Sequence, residues 1–143
     1  MSNKAILTLC LAVCLVFMVV CEEDNNPSEP ENGVKADPSF AQDIQPIFTA
    51  KCASAGCHNV ISASANLVLV EGEAYTNLVD VDSKQESSLK RVKASDSENS
   101  YLVIKIEGTQ TNGTQRMPIG GSPLSENEIQ LIINWIDEGA KNN

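Results

Sequence analysis

Two cysteines and one histidine within residues 52–58 are the side chains best suited to chemistry in this chain. Four residues separate Cys52 from Cys57, and His58 follows the second cysteine directly. Thiols in such a pattern can bond to the two vinyl groups on one edge of a haem, while the adjacent imidazole reaches the iron. The usual attachment motif has only two residues between the cysteines. The segment therefore predicts a haem site with a longer spacing.

Three other kinds of site can use the same residues. A structural zinc site needs four ligands, usually as two separated pairs, so this single cluster would have to recruit carboxylates. A Cys52–Cys57 disulfide is sterically possible in an oxidising compartment, but it closes a very small loop and leaves His58 unexplained. A cysteine nucleophile needs its histidine base beside it in space, which sequence neighbours rarely achieve. Haem is the favoured interpretation, and the disulfide comes next.

A single methionine outside the N-terminal leader is the candidate for the second axial position. Met117 lies between an arginine and Pro118, followed by Ile-Gly-Gly, in a segment typical of a loop. A thioether is a soft ligand that suits low-spin iron and raises its reduction potential. Core filling is the ordinary role of a lone methionine, but this one lies outside any apolar run. His58 is the only histidine of the chain, so the composition excludes a second histidine ligand from the same chain.

The first 20 residues predict a signal peptide. The sixteen-residue apolar run 5–20 is short for a membrane span, which needs about 20 residues. Cys21 closes the run and resembles the lipidation site of bacterial lipoproteins, although Val20 stands where such sites prefer a small residue. Cys14 is a weaker candidate, and an uncleaved anchor is the alternative. We predict an exported protein, a periplasmic or outer-membrane lipoprotein that can be surface-displayed, anchored to the membrane through Cys21.

Composition divides the rest into a tether and one domain. Residues 21–38 comprise the lipidated cysteine and an acidic, proline-containing tether that is predicted to be disordered. Residues 39–143 form a single domain with 13 acidic and 8 basic residues. The absence of a basic patch argues against nucleic acid as a partner. No acid–base pair or nucleophile constellation occurs, so an electron carrier without a small-molecule substrate is favoured over an enzyme.

Hydrophobic periodicity and capping residues predict four helices in the domain. In the last one, Ser125 and Glu128 form a capping box, isoleucines share one face with Trp135 at its edge, and Gly139 ends it. The first helix has Asp43 as its N-cap and Pro46 at its third position, and a kinked start is equally compatible with the proline. A short helix is predicted over 73–79, after a buried or strand-like segment over 67–70. The third helix is predicted to start with Ser95 as N-cap, with Glu98 in its capping box, and to end at Gly108.

In combination, these stretches resemble a bacterial single-haem cytochrome c domain of the class I type. The resemblance runs in the family's order from Asp-Ile-Gln-Pro-Ile-Phe at 43–48, through the 52–58 motif, Arg91-Val92, 99–102 and 117–121, to 124–140. It implies an all-α fold with crossing N- and C-terminal helices around one covalent haem c. It also implies that Cys52 and Cys57 form the thioethers, that His58 is the proximal ligand and that Met117 is the distal ligand. Many relatives have a proline soon after the histidine whose carbonyl orients the imidazole, and this chain has none.

The leading prediction is a c-type cytochrome that transfers single electrons through a His/Met-ligated haem to redox partner proteins by transient contacts. The alternatives are a haem-free interaction lipoprotein with a Cys52–Cys57 disulfide and a haem subunit of a larger oxidoreductase. Because the domain is acidic overall, a basic or apolar partner surface is expected. The only local cluster of bases is 84–93, in which Arg91 is the candidate to neutralise a haem propionate.

Overall fold

The computed structural model describes residues 33–143, and over this range the chain is helical, with isolated bridges but no strand. This confirms the predicted all-α class. The signal peptide 1–20, Cys21 and most of the tether lie outside the described residues. No helix within the described range is long and apolar enough to cross a membrane. The elements are a π-type turn (Phe40–Ile44), α1 (Gln45–Lys51), a 3₁₀ turn (Ser64–Asn66), α2 (Ala74–Leu78), α3 (Tyr101–Glu107) and α4 (Glu126–Asp137).

The first helix begins earlier than predicted and in a wider form. A π-type turn precedes α1, and its N-cap is Ser39 rather than Asp43; the Ser39 hydroxyl accepts from the backbone three residues on at 3.4 Å. The Asp43 carboxylate instead accepts from the Ser39 N–H at 2.7 Å. Pro46 has no N–H, and its ring would crowd the carbonyl four residues earlier in a regular helix. The wider turn gives that ring room, so the helix starts in π form.

The third helix, α3, begins at Tyr101, so the predicted start at Ser95 is wrong. Ser95 has a φ of 62°, which is left-handed and unlike an N-cap, and its N–H donates to an α4 carbonyl at 2.8 Å. The N–H and hydroxyl of Ser97 both donate to the Asp137 carboxylate, at 2.9 and 3.0 Å. These contacts with α4 override the local capping pattern. The predicted end at Gly108 is confirmed, with a left-handed φ of 82°.

The capping predictions for α4 are confirmed. The Ser125 hydroxyl accepts from the Glu128 N–H at 3.3 Å, and the Glu128 carboxylate accepts from the Ser125 N–H at 2.7 Å. Gly139 follows the last helical turn with a φ of 99°. Trp135 was expected at the edge of the apolar face, but it is 1% exposed, and its indole N–H donates to the Lys141 carbonyl at 2.9 Å. The indole is therefore a central part of the core.

The two ends of the domain contact each other. The ring centroids of Phe40 and Trp135 are 5.2 Å apart, and the Phe40 N–H donates to the Asn143 side-chain oxygen at 2.8 Å. Val34 and Pro38, which belong to the predicted tether, are also buried against the domain. These contacts join the first helical turn to α4 and to the C-terminus, so α1 is supported from both ends of the chain.

The segment between α1 and α2 contains no strand. Residues 67–70 have no ladder partners; Leu67 has an extended backbone, and Leu69 is 2% exposed while its neighbours are half-buried. The predicted helix 73–79 is confirmed as α2, one residue shorter at each end. The extended segment passes beside the histidine of the 52–58 motif, where it matters for the site.

Candidate functional site

One cavity of about 430 Å³ brings together all four residues that the sequence analysis singled out. Cys52, Cys57, His58 and Met117 all line it, although 59 positions separate the last two in the sequence. Its volume falls within the range of about 300–1,000 Å³ typical of cofactor and small-molecule sites. Much of the remaining lining is apolar and includes Leu67, Leu69, Leu78, Leu102 and Ile106.

Helix α1 delivers Cys52 to the cavity, and a closed loop delivers the other two motif residues. Cys52 is the C-cap of α1, and its carbonyl accepts from the His58 N–H at 3.1 Å. Gly56 has a φ of 85°, which allows the tight turn before Cys57. The Ser54 hydroxyl lies 3.4 Å from the Cys57 sulfur. The four residues between the cysteines thus form a compact loop with both thiols at the same cavity.

A backbone carbonyl orients the imidazole of His58. The Nδ1 atom lies 3.2 Å from the Leu67 carbonyl, and because a carbonyl only accepts, Nδ1 carries the proton in this bond. The His58 carbonyl accepts from the Leu69 N–H at 2.8 Å, which fixes the extended segment beside the ring. The Leu67 carbonyl therefore holds the ring in one orientation, and in this tautomer Nε2 is the nitrogen with a lone pair.

Burial lowers the pKa of His58, against the opposing effects of hydrogen bonds to the backbone of Leu67 and Ser64. The positive charges of Arg91 and Lys105 act in the same direction as burial. The lowered pKa favours the neutral ring, which is the protonation state that a metal ligand requires.

In the fraction of haem-free protein that remains folded, the thiol of Cys52 is expected to react slowly with iodoacetamide. Burial raises its pKa to about 11, so only about one molecule in a thousand carries the reactive thiolate at pH 8. Because the charged form is the disfavoured one, alkylation should accelerate as the pH rises toward 11. Mass spectrometry of Cys52 after timed alkylation at pH 8 and pH 10 measures this, with the unfolded protein as control. Equal rates in the folded and unfolded protein at pH 8 would contradict the burial of this thiol.

The cavity is lined by positive charges although the domain is acidic. Its lining includes Lys51, Lys84, Arg91 and Lys105 but no aspartate or glutamate. Lys51 and Lys84 are exposed, whereas Arg91 and Lys105 are 7% and 5% exposed. A haem has two propionate carboxylates, so an apolar cavity with two thiols, an imidazole, a thioether and cations fits its chemistry.

Arg91 uses its guanidinium to join two segments beside the cavity. It donates to the Asn77 carbonyl at 2.7 Å and to the Ala65 and Asn66 carbonyls at 3.0 and 3.1 Å. These bonds connect the 3₁₀ turn with the end of α2 beside the cavity. Its charge pairs with no carboxylate within residues 33–143. Neutralisation of a propionate by Arg91 therefore stays a prediction, and the structure adds a second role in holding the wall.

The loop that contains Met117 is tied to the last turn of α3. The Met117 N–H donates to the Lys105 carbonyl at 2.9 Å, and the Arg116 Nε donates to the Ile106 carbonyl at 2.7 Å. The Lys105 ammonium donates to the Gln115 carbonyl. Three consecutive loop residues are thereby fixed against one helical turn, and the third of them faces the cavity.

The competing sites find less support in this part of the chain. Both Cys52 and Cys57 are free thiols. Within residues 33–143, no group of three or more His, Cys, Asp or Glu side chains is placed to hold a metal ion by itself, as the zinc alternative would need.

No family model matches the chain. The chain is similar to the hydrazine synthase subunit alpha of Kuenenia stuttgartiensis, with 30% identity over an alignment of 139 residues; the match covers 80% of this chain and 17% of the relative. Among solved structures, Kuenenia stuttgartiensis hydrazine synthase matches with a TM-score of 0.45 and 27% identity over 71% of this chain and 16% of that chain. The chain thus spans less than a fifth of the length of either protein.

Two features of the site were not predicted from the sequence. The Leu67 carbonyl is a backbone atom, and a backbone acceptor leaves no trace in the residue types. The burial of Lys105, in contrast, could have been predicted from the sequence. Lys105 lies four positions after Tyr101, so the two share the inward face of a mostly apolar helix. A lysine at that position indicates either a buried charge or a misassigned helix face.

Proposed function

We propose that this chain is a c-type cytochrome domain that binds one haem covalently and transfers single electrons. The observation that supports it most strongly is the meeting of Cys52, Cys57, His58 and Met117 at one cavity, with His58 already held in the tautomer that frees Nε2. Cys52 and Cys57 would hold the haem through two thioether bonds, which thiols can form with its vinyl groups without an oxidant.

Each part of the wall has a function in this proposal. When bound, the haem supplies the one-electron couple of its iron. His58 and Met117 would hold the iron through an imidazole nitrogen and a thioether sulfur, a ligand pair suited to electron transfer. Leu69, Leu78 and Ile106 exclude water, since each is at most 2% exposed. Arg91, a buried cation of the same wall, would supply the positive charge for a propionate.

Spectroelectrochemical titration of the full chain, produced in a host with c-type maturation, tests this function. A reversible wave of one electron per chain is expected, with a reduced spectrum of low-spin haem. A chain without redox-dependent absorbance would reject the function, as would one that consumes peroxide rapidly, because rapid turnover requires an open axial position.

A second proposal concerns where the electrons go. The relative with 30% identity is named as a subunit of hydrazine synthase, and this chain matches only 17% of it. We propose that the domain works as the electron-transfer unit of a larger oxidoreductase rather than as a freely diffusing carrier. The synthase activity itself is not carried over, because more than four-fifths of that relative has no counterpart here.

The native mass of the haem-bearing protein distinguishes these two roles. Gel filtration of mildly solubilised source membranes, followed by haem absorbance and an antibody to the chain, should place both signals in one high-mass peak. Elution of all the chain at the mass of a single detergent-bound copy would favour a free carrier.

A further inference from the structure

Helix α3 contains a buried lysine whose presence packing does not explain. Lys105 is 5% exposed and lies between the buried residues Val103 and Ile106. The ion pairs within residues 33–143 all join other residues: Lys35–Asp43, Lys90–Asp82, Lys93–Asp96 and Lys141–Asp37. Burying an ammonium without a carboxylate costs free energy. A methionine would fill similar space without that cost, so the charge itself needs an explanation.

The ammonium and the backbone of Lys105 hold the methionine loop at two points. Its Nζ donates to the Gln115 carbonyl, and its carbonyl accepts from the Met117 N–H at 2.9 Å. These two bonds lie on either side of Arg116, whose Nε donates to the Ile106 carbonyl at 2.7 Å. The last turn of α3 therefore sets where the Met117 backbone enters the cavity.

Gly108 makes this close contact possible. Its left-handed φ of 82° ends α3, and a Cβ atom there would lie 2.8 Å from the Arg116 Cδ. Only a residue without a side chain lets the arginine pass over the helix end at this distance. Both segments thus contribute to the contact: α3 ends at a glycine, and the loop places the Arg116 side chain over it.

The charge of Lys105 also acts on the metal-binding side of the cavity. Lys105 lines the same cavity as His58 and Met117, and its side chain is almost fully buried there. A fixed positive charge near a low-dielectric site opposes the addition of further positive charge there. Oxidation of an iron at this site adds one such charge.

We propose that Lys105 is the positioning residue for the distal ligand Met117 and that its ammonium raises the reduction potential of the site. The inference rests on the proposed haem function. It assigns two effects to one side chain: the bond to the Gln115 carbonyl holds the loop, and the unpaired charge disfavours the oxidised iron.

Three substitutions in the full chain separate these effects. Lys105→Met removes both the bond and the charge, Lys105→Gln removes the charge but keeps a donor, and Lys105→Arg keeps both. For Lys105→Met, we expect covalent haem at the parent level and about tenfold tighter cyanide binding to the oxidised protein, because a lost charged hydrogen bond loosens Met117. We also expect about a tenfold change in the one-electron equilibrium constant, equal to about 59 mV toward lower potential.

The other two variants test the assignment and its alternatives. Lys105→Arg should stay close to the parent in both measurements, and Lys105→Gln should lower the potential with little effect on cyanide binding. Lys105→Gln also tests the charge if Lys105→Met fails to accumulate. The inference is overturned if Lys105→Met matches the parent in both measurements, or if Lys105→Arg is impaired as much as Lys105→Met. A parent chain without covalent haem would instead reject the proposed function, and this inference with it.

Discussion

Replacing Cys57 with alanine is expected to abolish stable haem attachment and to remove most of the folded protein. Without the second thioether the haem is held less firmly, and its loss leaves a cavity of about 430 Å³ in a small domain. Cavities cost about 24 cal/mol per Å³ when left empty, so the loss reaches several kcal/mol even if water fills part of the space. That is comparable with the whole stability of a domain, about 5–15 kcal/mol. Haem absorbance per chain and urea unfolding measure both effects.

A matched control for this substitution lies in the same loop. Ala55 is exposed between the two cysteines, and Ala55→Ser adds a hydroxyl without touching either sulfur. It should retain the haem content and the unfolding midpoint of the parent. A Cys57→Ala protein as coloured and as stable as the Ala55→Ser protein would show that the thiol is not an attachment point.

Replacing Met117 with alanine is expected to lower the reduction potential and to open one axial position. The thioether is the ligand that raises the potential, and axial ligands together span about 0.8 V, so a decrease on the order of 0.1 V or more is expected. Covalent haem should remain, because Met117 is separate from both thioethers. Potentiometry and cyanide titration of the oxidised protein make the two measurements.

Ile119 provides the control for the loop. It is 56% exposed, lines the same cavity two residues after Met117 and has no atom that ligates a metal. Ile119→Ala should keep the parent potential and the parent resistance to cyanide. If both variants behave alike, the loop affects the cavity through packing and Met117 is not a ligand.

Local patterns were predicted well where all the interacting residues are close in the sequence. The Ser125–Glu128 capping box and the end of α3 at Gly108 depend on neighbouring residues only, and both are confirmed. The true start of the first helix depends on a residue 104 positions away: the Ser39 hydroxyl donates to the Asn143 carbonyl at 2.8 Å. A capping rule considers neighbouring residues only and does not include such a contact. The prediction of Asp43 as N-cap was therefore wrong.

In the candidate haem site, too, local patterns were informative and contacts between distant residues were not predictable. The residue types at 52–58 and the single methionine indicate the chemistry directly, because only a few side chains can bond a vinyl group or a metal. How these residues are held was not predictable. His58 depends on the Leu67 carbonyl, and Met117 depends on Lys105; both are contacts of the folded chain. Composition was also a poor guide to local charge, since an acidic domain has a cavity lined by lysine and arginine.

The partner surface stays a prediction. Net charge predicts a basic or apolar partner surface. The exposed lysines at the cavity, Lys51 and Lys84, lie close enough to Glu128 and Asp82 for their charges to interact. Because both signs of charge are present around the cavity, the local charge gives no reason to replace that prediction.

Covalent attachment of haem is the central claim, and a haem stain on a denaturing gel tests it most directly. The full chain and a Cys52→Ala/Cys57→Ala double variant are produced side by side in a host with c-type maturation, then boiled in detergent and stained for haem peroxidase activity. We expect a stained band at the mass of the parent chain and no stained band for the double variant. An intact parent band without stain, or equal staining of both proteins, would contradict it.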